Sequence, residues 1–304
     1  MAATRRIVLR GAAAFSSSLA LAACGTQMQG SNRPTPAPAQ TQQQAQTQQQ
    51  AQKPANAKSG GTLRMALWQE PTHLNKHMNS QTVGSLVARQ ISQHLIDVDE
   101  NGTYQPMLAA EVPTPQNGGV SADGKTVTYK LRRDVKWHDG TPFTAKDVVF
   151  TFQARMDPAN PVNSRAGYQD IASVEAKDDY TVVVQFKQLY ASYLDLFGWI
   201  LPSHAFGGKT AMDKADFNRK PIGTGPFKFV EWVSGDHLTV AKNPDYWRKG
   251  YPLLDQIVFR FTPSREVAVA QLQTAEVDVV WNLIESNIPD FEGSKDIDLW
   301  ANSG

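Results

Sequence analysis

The first half of the sequence holds side chains that could bind a metal ion or transfer a proton, namely Glu70, His73, His77, His138 and Asp139. His73 and His77 are four residues apart, so a helix would place both imidazoles on one face. A secreted metallohydrolase that uses these histidines with Glu70 is therefore one alternative. The segment also carries proline and asparagine, which favour a loop, and lacks the glutamate of a metalloprotease helix. We predict no catalytic residue, no metal and no cofactor.

The dipeptide His138-Asp139 has a simpler interpretation as the corner between a strand and a helix. Asp139-Gly140 is typical of a tight turn, and Thr144 stands three residues before Asp147 at the start of an apolar helical pattern. This spacing predicts a capping box, in which the two side chains satisfy each other's backbone N–H groups. We therefore predict a strand, a turn and a capped helix over residues 134–152.

Two further motifs resemble ligand sites but lack a required residue. Residues 97–102 follow the start of a calcium-binding loop, whose twelfth position should be a bidentate glutamate but is Leu108. Residues 207–210 resemble the end of a phosphate-binding loop, but Ser203 occupies the position of its first glycine. We predict a hairpin turn for the first segment and no nucleotide site for the second.

Residues 1–23 have the pattern of a bacterial export signal. Arg5 and Arg6 resemble a twin-arginine motif, and the apolar stretch that follows is too short to span a bilayer. The only cysteine, Cys24, ends a Leu-Ala-Ala-Cys sequence that resembles a lipobox. Residues 25–58 contain eleven Gln and no acidic or aromatic residue, so 24–58 is predicted to be a disordered linker. We predict a lipid on Cys24 that anchors the protein to the cell membrane, facing the periplasm or the cell exterior.

The charge of the remaining chain argues against nucleic acid as its main partner. From Ser59 onward there are 24 basic and 29 acidic side chains, a net charge of −5. Binding to phosphates requires a basic face, which a mildly acidic body does not favour.

Residues 59–304 show strand and helix patterns that do not strictly alternate. Segments with strand-like alternation or apolar runs are 61–67, 126–132, 180–186, 227–232, 237–241, 257–262 and 277–281. Apolar residues recur every three or four positions over 83–95, and Ser264 precedes a predicted helix that ends near Thr274. The sequence therefore predicts a mixed α/β fold.

Five separated motifs of this body point to a known family. The longest, residues 129–152, is YKLRRDVKWHDGTPFTAKDVVFTF, and the others occupy 70–75, 104–111, 222–227 and 243–247. In this order they resemble the peptide/nickel-binding family 5 of extracellular solute-binding proteins, the capture subunits of ABC importers. The resemblance extends over residues 60–281.

The resemblance implies a fold like that of type II periplasmic binding proteins, in which two lobes close on a ligand about a hinge. It implies a sheet-based first lobe from residues 59–82 and 205–282, an inserted subdomain over 83–204, and a hinge near Trp281-Asn282. Residues on the cleft side of this lobe would be Trp68, Gln69, Glu70, Thr224, Gly225 and Trp281.

Three features depart from the family pattern. Lys76 stands where proline usually follows Leu-Asn, and Ala275 stands where glycine usually ends a helix. If position 275 takes the left-handed conformation, alanine costs about 1 kcal/mol relative to glycine. Family members continue through a second lobe, to which only residues 283–304 would belong, so we expect most of that lobe to lie outside this chain.

The resemblance also implies the function. It indicates a substrate-binding lipoprotein that captures peptides or a similar solute and delivers it to an ABC permease and its ATPase subunits. Hinge closure would hold the solute without making or breaking a bond. We expect a monomer. A sensor or chaperone that uses the same fold without a permease is a second alternative.

Overall fold

The computed structural model describes residues 5–10, 57–283, 285–291, 294 and 296–302. Its strands are β1 (Arg5–Arg10), β2 (Thr62–Leu67), β3 (Ile96–Val98), β4 (Tyr104–Pro106), β5 (Thr126–Lys130), β6 (Ile171–Asp178), β7 (Thr181–Phe186), β8 (Phe227–Val233), β9 (His237–Lys242), β10 (Gln256–Phe261), β11 (Val279–Leu283) and β12 (Ile297–Asn302). Its α-helices are α1 (Thr82–Ile91), α2 (Ala145–Met156) and α3 (Arg265–Gln273). Short 3-10 helices occupy Tyr168–Asp170, Tyr193–Asp195, Ser203–Phe206, Asp216–Asn218 and Glu285–Asp290.

A seven-stranded mixed sheet has the order β12-β1-β11-β2-β10-β9-β8. Strands β10 and β11 both run parallel to β2, whereas β9 pairs with β8 and β10 in the antiparallel sense. Adjacent residues of β2 point to opposite faces, as strand geometry requires. Leu67 packs in one apolar cluster with α1, and Ala66 packs in another with α3. One helix therefore covers each face of the sheet.

A second unit lies between α1 and β8 in the chain. It contains the hairpin β3-β4 and the sheet β5-β7-β6, which is antiparallel throughout. Tyr129, Phe143, Phe197 and their neighbours form its apolar core, and Trp247 from the region of the large sheet packs against that core. The mixed α/β prediction is confirmed, and residues 97–102 form the predicted hairpin turn between β3 and β4.

Two sequence predictions of local structure differ from the structure. The predicted helix 83–95 ends earlier, because α1 stops at Ile91 and Ser92 is extended. Leu95 is buried in the core of the second unit, where its N–H donates to Phe197 O at 3.1 Å. Tertiary packing thus ends the helix at Ile91, one turn before the apolar pattern ends at Leu95. Strand β6 was not predicted, since only Ile171 and Val174 among its residues are buried and no alternation results.

The predicted export signal overlaps the described residues only in part. Arg5–Arg10 forms β1, which pairs in parallel with β11 and β12. The pairing of β1 does not test whether residues 1–23 are removed, so the export signal stays a prediction. Cys24 and most of the linker lie outside the described residues. Within the part of the chain that is described, no helix is long and apolar enough to cross a membrane.

Two predicted helix ends are found as expected. Thr144 N–H donates to Asp147 Oδ2 at 3.0 Å, which is one half of the predicted capping box. Ser264 Oγ accepts from Val267 N–H at 3.3 Å at the start of α3. At the other end of α3, Ala275 has φ +64° and Glu276 N–H donates to Gln271 O at 2.8 Å. This is the left-handed helix end in which glycine is the preferred residue.

We expect Ala275→Gly to raise the free energy of unfolding by about 1 kcal/mol, because glycine adopts positive φ without a steric penalty. Urea denaturation monitored by circular dichroism measures the change. The matched control Ala270→Gly lies on the exposed side of α3 and should lower stability by a similar amount. A loss of stability in both variants would contradict a strained Ala275.

Candidate functional site

His138 joins the second unit to the large sheet. Its Nε2–H donates to Gly225 O at 3.0 Å, and its Nδ1 accepts from Gly223 N–H at 3.1 Å. The backbone adds a bond from His138 N–H to Gly223 O at 2.8 Å. We call this set of contacts the His138 clasp. Both ring nitrogens are engaged in it, so the imidazole has no free atom for catalysis.

The glycines of the clasp are required by a close approach to the end of α1. Gly225 N–H donates to Ile91 O at 2.8 Å. A Cβ at Gly223 would lie 1.8 Å from Ile91 O, and one at Gly225 would lie 2.6 Å from Gln90 O. Only glycine leaves room for the backbones to meet at this distance.

The other candidates for a metal centre are also held by structural contacts. His77 Nε2–H donates to Trp199 O at 2.8 Å, and its Nδ1 accepts from Arg155 Nη1 at 3.0 Å. Glu70 accepts from Trp232 Nε1 at 2.7 Å and from Gly235 N–H at 2.9 Å. The described residues contain no group of three or more His, Cys, Asp or Glu side chains placed to hold a metal ion. Of the side chains that the metallohydrolase alternative invokes, His77, His138 and Glu70 are thus engaged in structural contacts, whereas the buried Nδ1 of His73 has no hydrogen-bond partner among the described residues.

A polar pocket of about 370 Å³ lies where three segments meet. These segments are the loop after β2, the end of α2 with the residues that follow, and residues 195–199, and His94 completes the lining. The pocket is lined by Lys76, Asn79, Ser80, His94, Arg155, Asn163, Tyr168, Asp195, Gly198 and Trp199. Its volume falls within the ~300–1,000 Å³ typical of small-molecule sites.

The turn beside this pocket has strained backbone. Phe197 and Trp199 have φ of +59° and +58°, a conformation that bulky side chains rarely adopt. Phe197 N–H donates to Tyr168 Oη at 2.6 Å, and Trp199 O accepts from His77. Such strain costs of order 1–3 kcal/mol per residue and is typical of binding and catalytic sites. Here the hydrogen bonds hold the backbone of the turn, and the Trp199 side chain lines the pocket.

Lys76 and Arg155 bring positive charge to the pocket. Lys76 is only 9% exposed, and its Nζ donates to Gln81 O at 3.1 Å. Burial lowers the pKa of Lys76 to about 8, which still leaves the amine mostly protonated at neutral pH. Burial also lowers the pKa of Arg155, which remains a cation.

The six residues predicted to line the cleft lie in three places. Trp68, Gln69 and Glu70 follow β2 and lead into the loop that carries Lys76. Gln69 is exposed, Trp68 packs partly buried beside the α1 cluster, and Glu70 is held by Trp232 as described. Their role in ligand binding stays a prediction.

The other three predicted residues are separated from this loop. Thr224 is 2% exposed, and Gly225 belongs to the His138 clasp. Trp281 lines an apolar cavity of about 620 Å³ between α1 and the sheet, together with Met65 and Phe259. This cavity can receive an apolar group, whereas charged and hydrogen-bonding side chains converge in the polar pocket. The polar pocket is therefore the candidate site.

Sequence analysis did not identify the main residues of the polar pocket. His94, Arg155 and Tyr168 lie in the predicted inserted subdomain, and none of the predicted cleft residues comes from that subdomain. The sequence does carry one signal of this pocket, because Lys76 departs from the family pattern at a position where proline is usual. A lysine in place of proline adds a positive charge at this position.

Comparison with known proteins identifies the family. Residues 103–304 match the family described as "Bacterial extracellular solute-binding proteins, family 5 Middle". The chain belongs to this family. The oligopeptide-binding protein AppA of Bacillus subtilis is 33% identical over 228 residues, which cover 73% of this chain and 40% of AppA. The glutathione-binding protein GsiB of Shigella flexneri is 31% identical over 232 residues, which cover 76% of this chain and 44% of GsiB.

Solved structures share the fold of this family 5 chain. NikZ of Campylobacter jejuni in complex with Ni(L-His) superposes with a TM-score of 0.69 at 28% identity, covering 77% of this chain and 45% of NikZ. AppA of Bacillus subtilis in complex with a nonapeptide gives 0.71 at 28% identity, covering 79% and 47%. The predicted periplasmic-binding-protein fold is confirmed. The chain spans less than half the length of these relatives.

We expect acid to destabilise the folded protein between about pH 6.5 and pH 4 through His77 and His138. Burial lowers the pKa of each to about 4 from the ordinary value of 6.5. The unfolded chain therefore binds more protons in this window, and stability falls as the pH falls. At pH 5 each histidine should account for about 2 kcal/mol of the loss relative to pH 7.

Urea denaturation of the wild type and of His138→Asn at pH 7 and pH 5 measures this effect. The asparagine cannot titrate, so the variant should lose about 2 kcal/mol less between the two pH values. An equal pH dependence in both proteins would show that the His138 clasp does not require a neutral imidazole.

Proposed function

We propose that this protein captures a peptide or a similar small solute outside the cell membrane and delivers it unchanged to an ABC permease. The observation that carries the proposal is the polar pocket, where charged and aromatic side chains converge beside a strained turn. The engagement of His77 and His138 in structural hydrogen bonds supports binding without catalysis. Relatives named for binding an oligopeptide and glutathione support the solute class.

Capture would proceed by hinge closure. The predicted hinge at Trp281-Asn282 lies within the last residues of β11, just after Val279 and Val280, which pair with the central strand β2. A solute that contacts both walls binds the closed form more tightly than the open form and shifts the population towards it. The permease and its ATPase subunits would then recognise the closed form. The protein acts as a monomer in this scheme.

The N-terminal segment would keep the protein at the membrane. Cys24 is the only cysteine and would carry the lipid. The linker after it would act as a flexible chain, with an average reach of about 30 Å for its 34 or so residues. This distance lets the body turn and reach a neighbouring permease while it stays at the membrane.

Native mass spectrometry of protein purified without denaturation tests solute capture. We expect a bound small solute that is released unchanged on denaturation. Trp199→Gly should carry about tenfold less solute, because it removes a pocket wall and leaves a residue that accepts positive φ. Its matched control is Trp300→Phe, which alters a tryptophan of β12. Release of a chemically altered solute, or no solute in either protein, would contradict the proposal.

Metabolic labelling with a radioactive fatty acid tests the anchor. We expect the wild type to incorporate the label and to sediment with membranes, and Cys24→Ala to do neither, because the thiol that forms the thioether is absent. Equal labelling of the two proteins would place any lipid elsewhere. A wild type without label would remove the lipoprotein proposal altogether.

A further inference from the structure

The polar pocket contains two cations that lack acidic partners. No ion pair involves Lys76 or Arg155 among the described residues, and burial is the first cause of the lowered pKa of each. Among the described residues the Arg155 side chain makes one hydrogen bond, from Nη1 to His77 Nδ1, and its buried Nε–H has no partner there. A buried cation costs free energy unless an anion compensates it. The protein keeps two such cations in one pocket.

The groups around the cations do not neutralise them. His77 is neutral because its Nδ1 accepts a hydrogen bond, and burial lowers the pKa of His94 to about 4. Asp195 is an acid of the pocket lining, and it is exposed and accepts from Tyr104 Oη at 2.8 Å. Arg89 lies 5.9 Å from the Trp199 ring and pairs with Asp97 at 3.3 Å. The facing groups therefore leave an excess of positive charge.

Aromatic side chains form part of the wall of the pocket. The Trp199 ring packs edge-on against His94, with 4.6 Å between ring centroids, and Arg155 lies 4.4 Å from the Tyr168 ring. These contacts hold the aromatic walls in place. Charge-assisted hydrogen bonds from ammonium and guanidinium groups to a carboxylate are about twice as strong as neutral ones.

We propose that the polar pocket binds a carboxylate of the captured solute, with Lys76 and Arg155 supplying the compensating charge. The proposal rests on solute capture and specifies the charge class of the solute, an anionic or carboxylate-bearing small molecule. A neutral or purely cationic solute would leave both cations buried and unpaired, so the pocket selects against it.

A titration with sodium acetate and with acetamide at constant ionic strength tests the pocket directly. The two probes have the same shape and differ in charge. The readout is the indole N–H signal of Trp199 in NMR spectra, assigned with Trp199→Gly. We expect a saturable shift with acetate and none with acetamide. A shift that stays linear with acetate, or an equal response to acetamide, would overturn the proposal.

Variants assign the binding to the cations. Lys76→Met should weaken acetate binding by about tenfold or more and should not lower the thermal midpoint, because it removes a buried charge. Lys146→Gln removes one exposed charge from α2 and should leave the affinity unchanged. Equal losses in both variants would mean that net charge alone attracts acetate. If Lys76→Met does not fold, Arg155→Gln replaces it and should weaken acetate binding to a similar extent.

The outcome separates this inference from the proposed function. A neutral solute found by native mass spectrometry would overturn the carboxylate site and leave solute capture intact. Saturable acetate binding in a protein that carries no solute would uphold the anion site and count against capture.

Discussion

The junction between the two units centres on the His138 imidazole, and His77 and Trp247 add further contacts across it. His138 donates from Nε2 to Gly225 O and accepts at Nδ1 from Gly223 N–H, and these glycines contact the end of α1. Three separate parts of the chain thereby meet at one point. Protonation would place a second donor opposite the N–H of Gly223, which explains why the folded state favours the neutral ring. The burial that lowers the pKa of His138 is thus part of how the two units are joined.

The polar pocket is a consequence of that docking. The loop after β2 starts from the large sheet, whereas Arg155 and the turn of Phe197 and Trp199 belong to the second unit. His77, from the loop, contacts both Arg155 and Trp199 across the junction. The strain in the turn and the desolvation of the cations are costs borne by the fold. The strained turn and the buried cations both lie at the polar pocket. The cavity beside Trp281 is lined mostly by apolar side chains.

Local sequence patterns predicted much of the framework because they act over a few residues. The turn at Asp139-Gly140, the bond from Thr144 to Asp147 and the left-handed Ala275 all involve neighbours in the chain. Strands with alternating burial were predicted close to their observed bounds. The prediction failed where a distant contact decides the outcome. Leu95 continues the apolar period of α1, yet its backbone bond to Phe197 takes it into another core.

The sequence by itself determined the family, the α/β character and the interpretation of His138-Asp139 as a corner. Each of these depends on motifs or periodic patterns formed by residues that are close together in the chain. Only the tertiary structure decided which side chains share a site. Lys76 and Arg155 are far apart in the chain and meet in one pocket, while the predicted residues Glu70 and Gly225 are engaged in structural contacts. The physical reason is that charge and desolvation depend on distance in space. The distance between Lys76 and Arg155 is set only when the two units pack together, so a local sequence pattern cannot predict it.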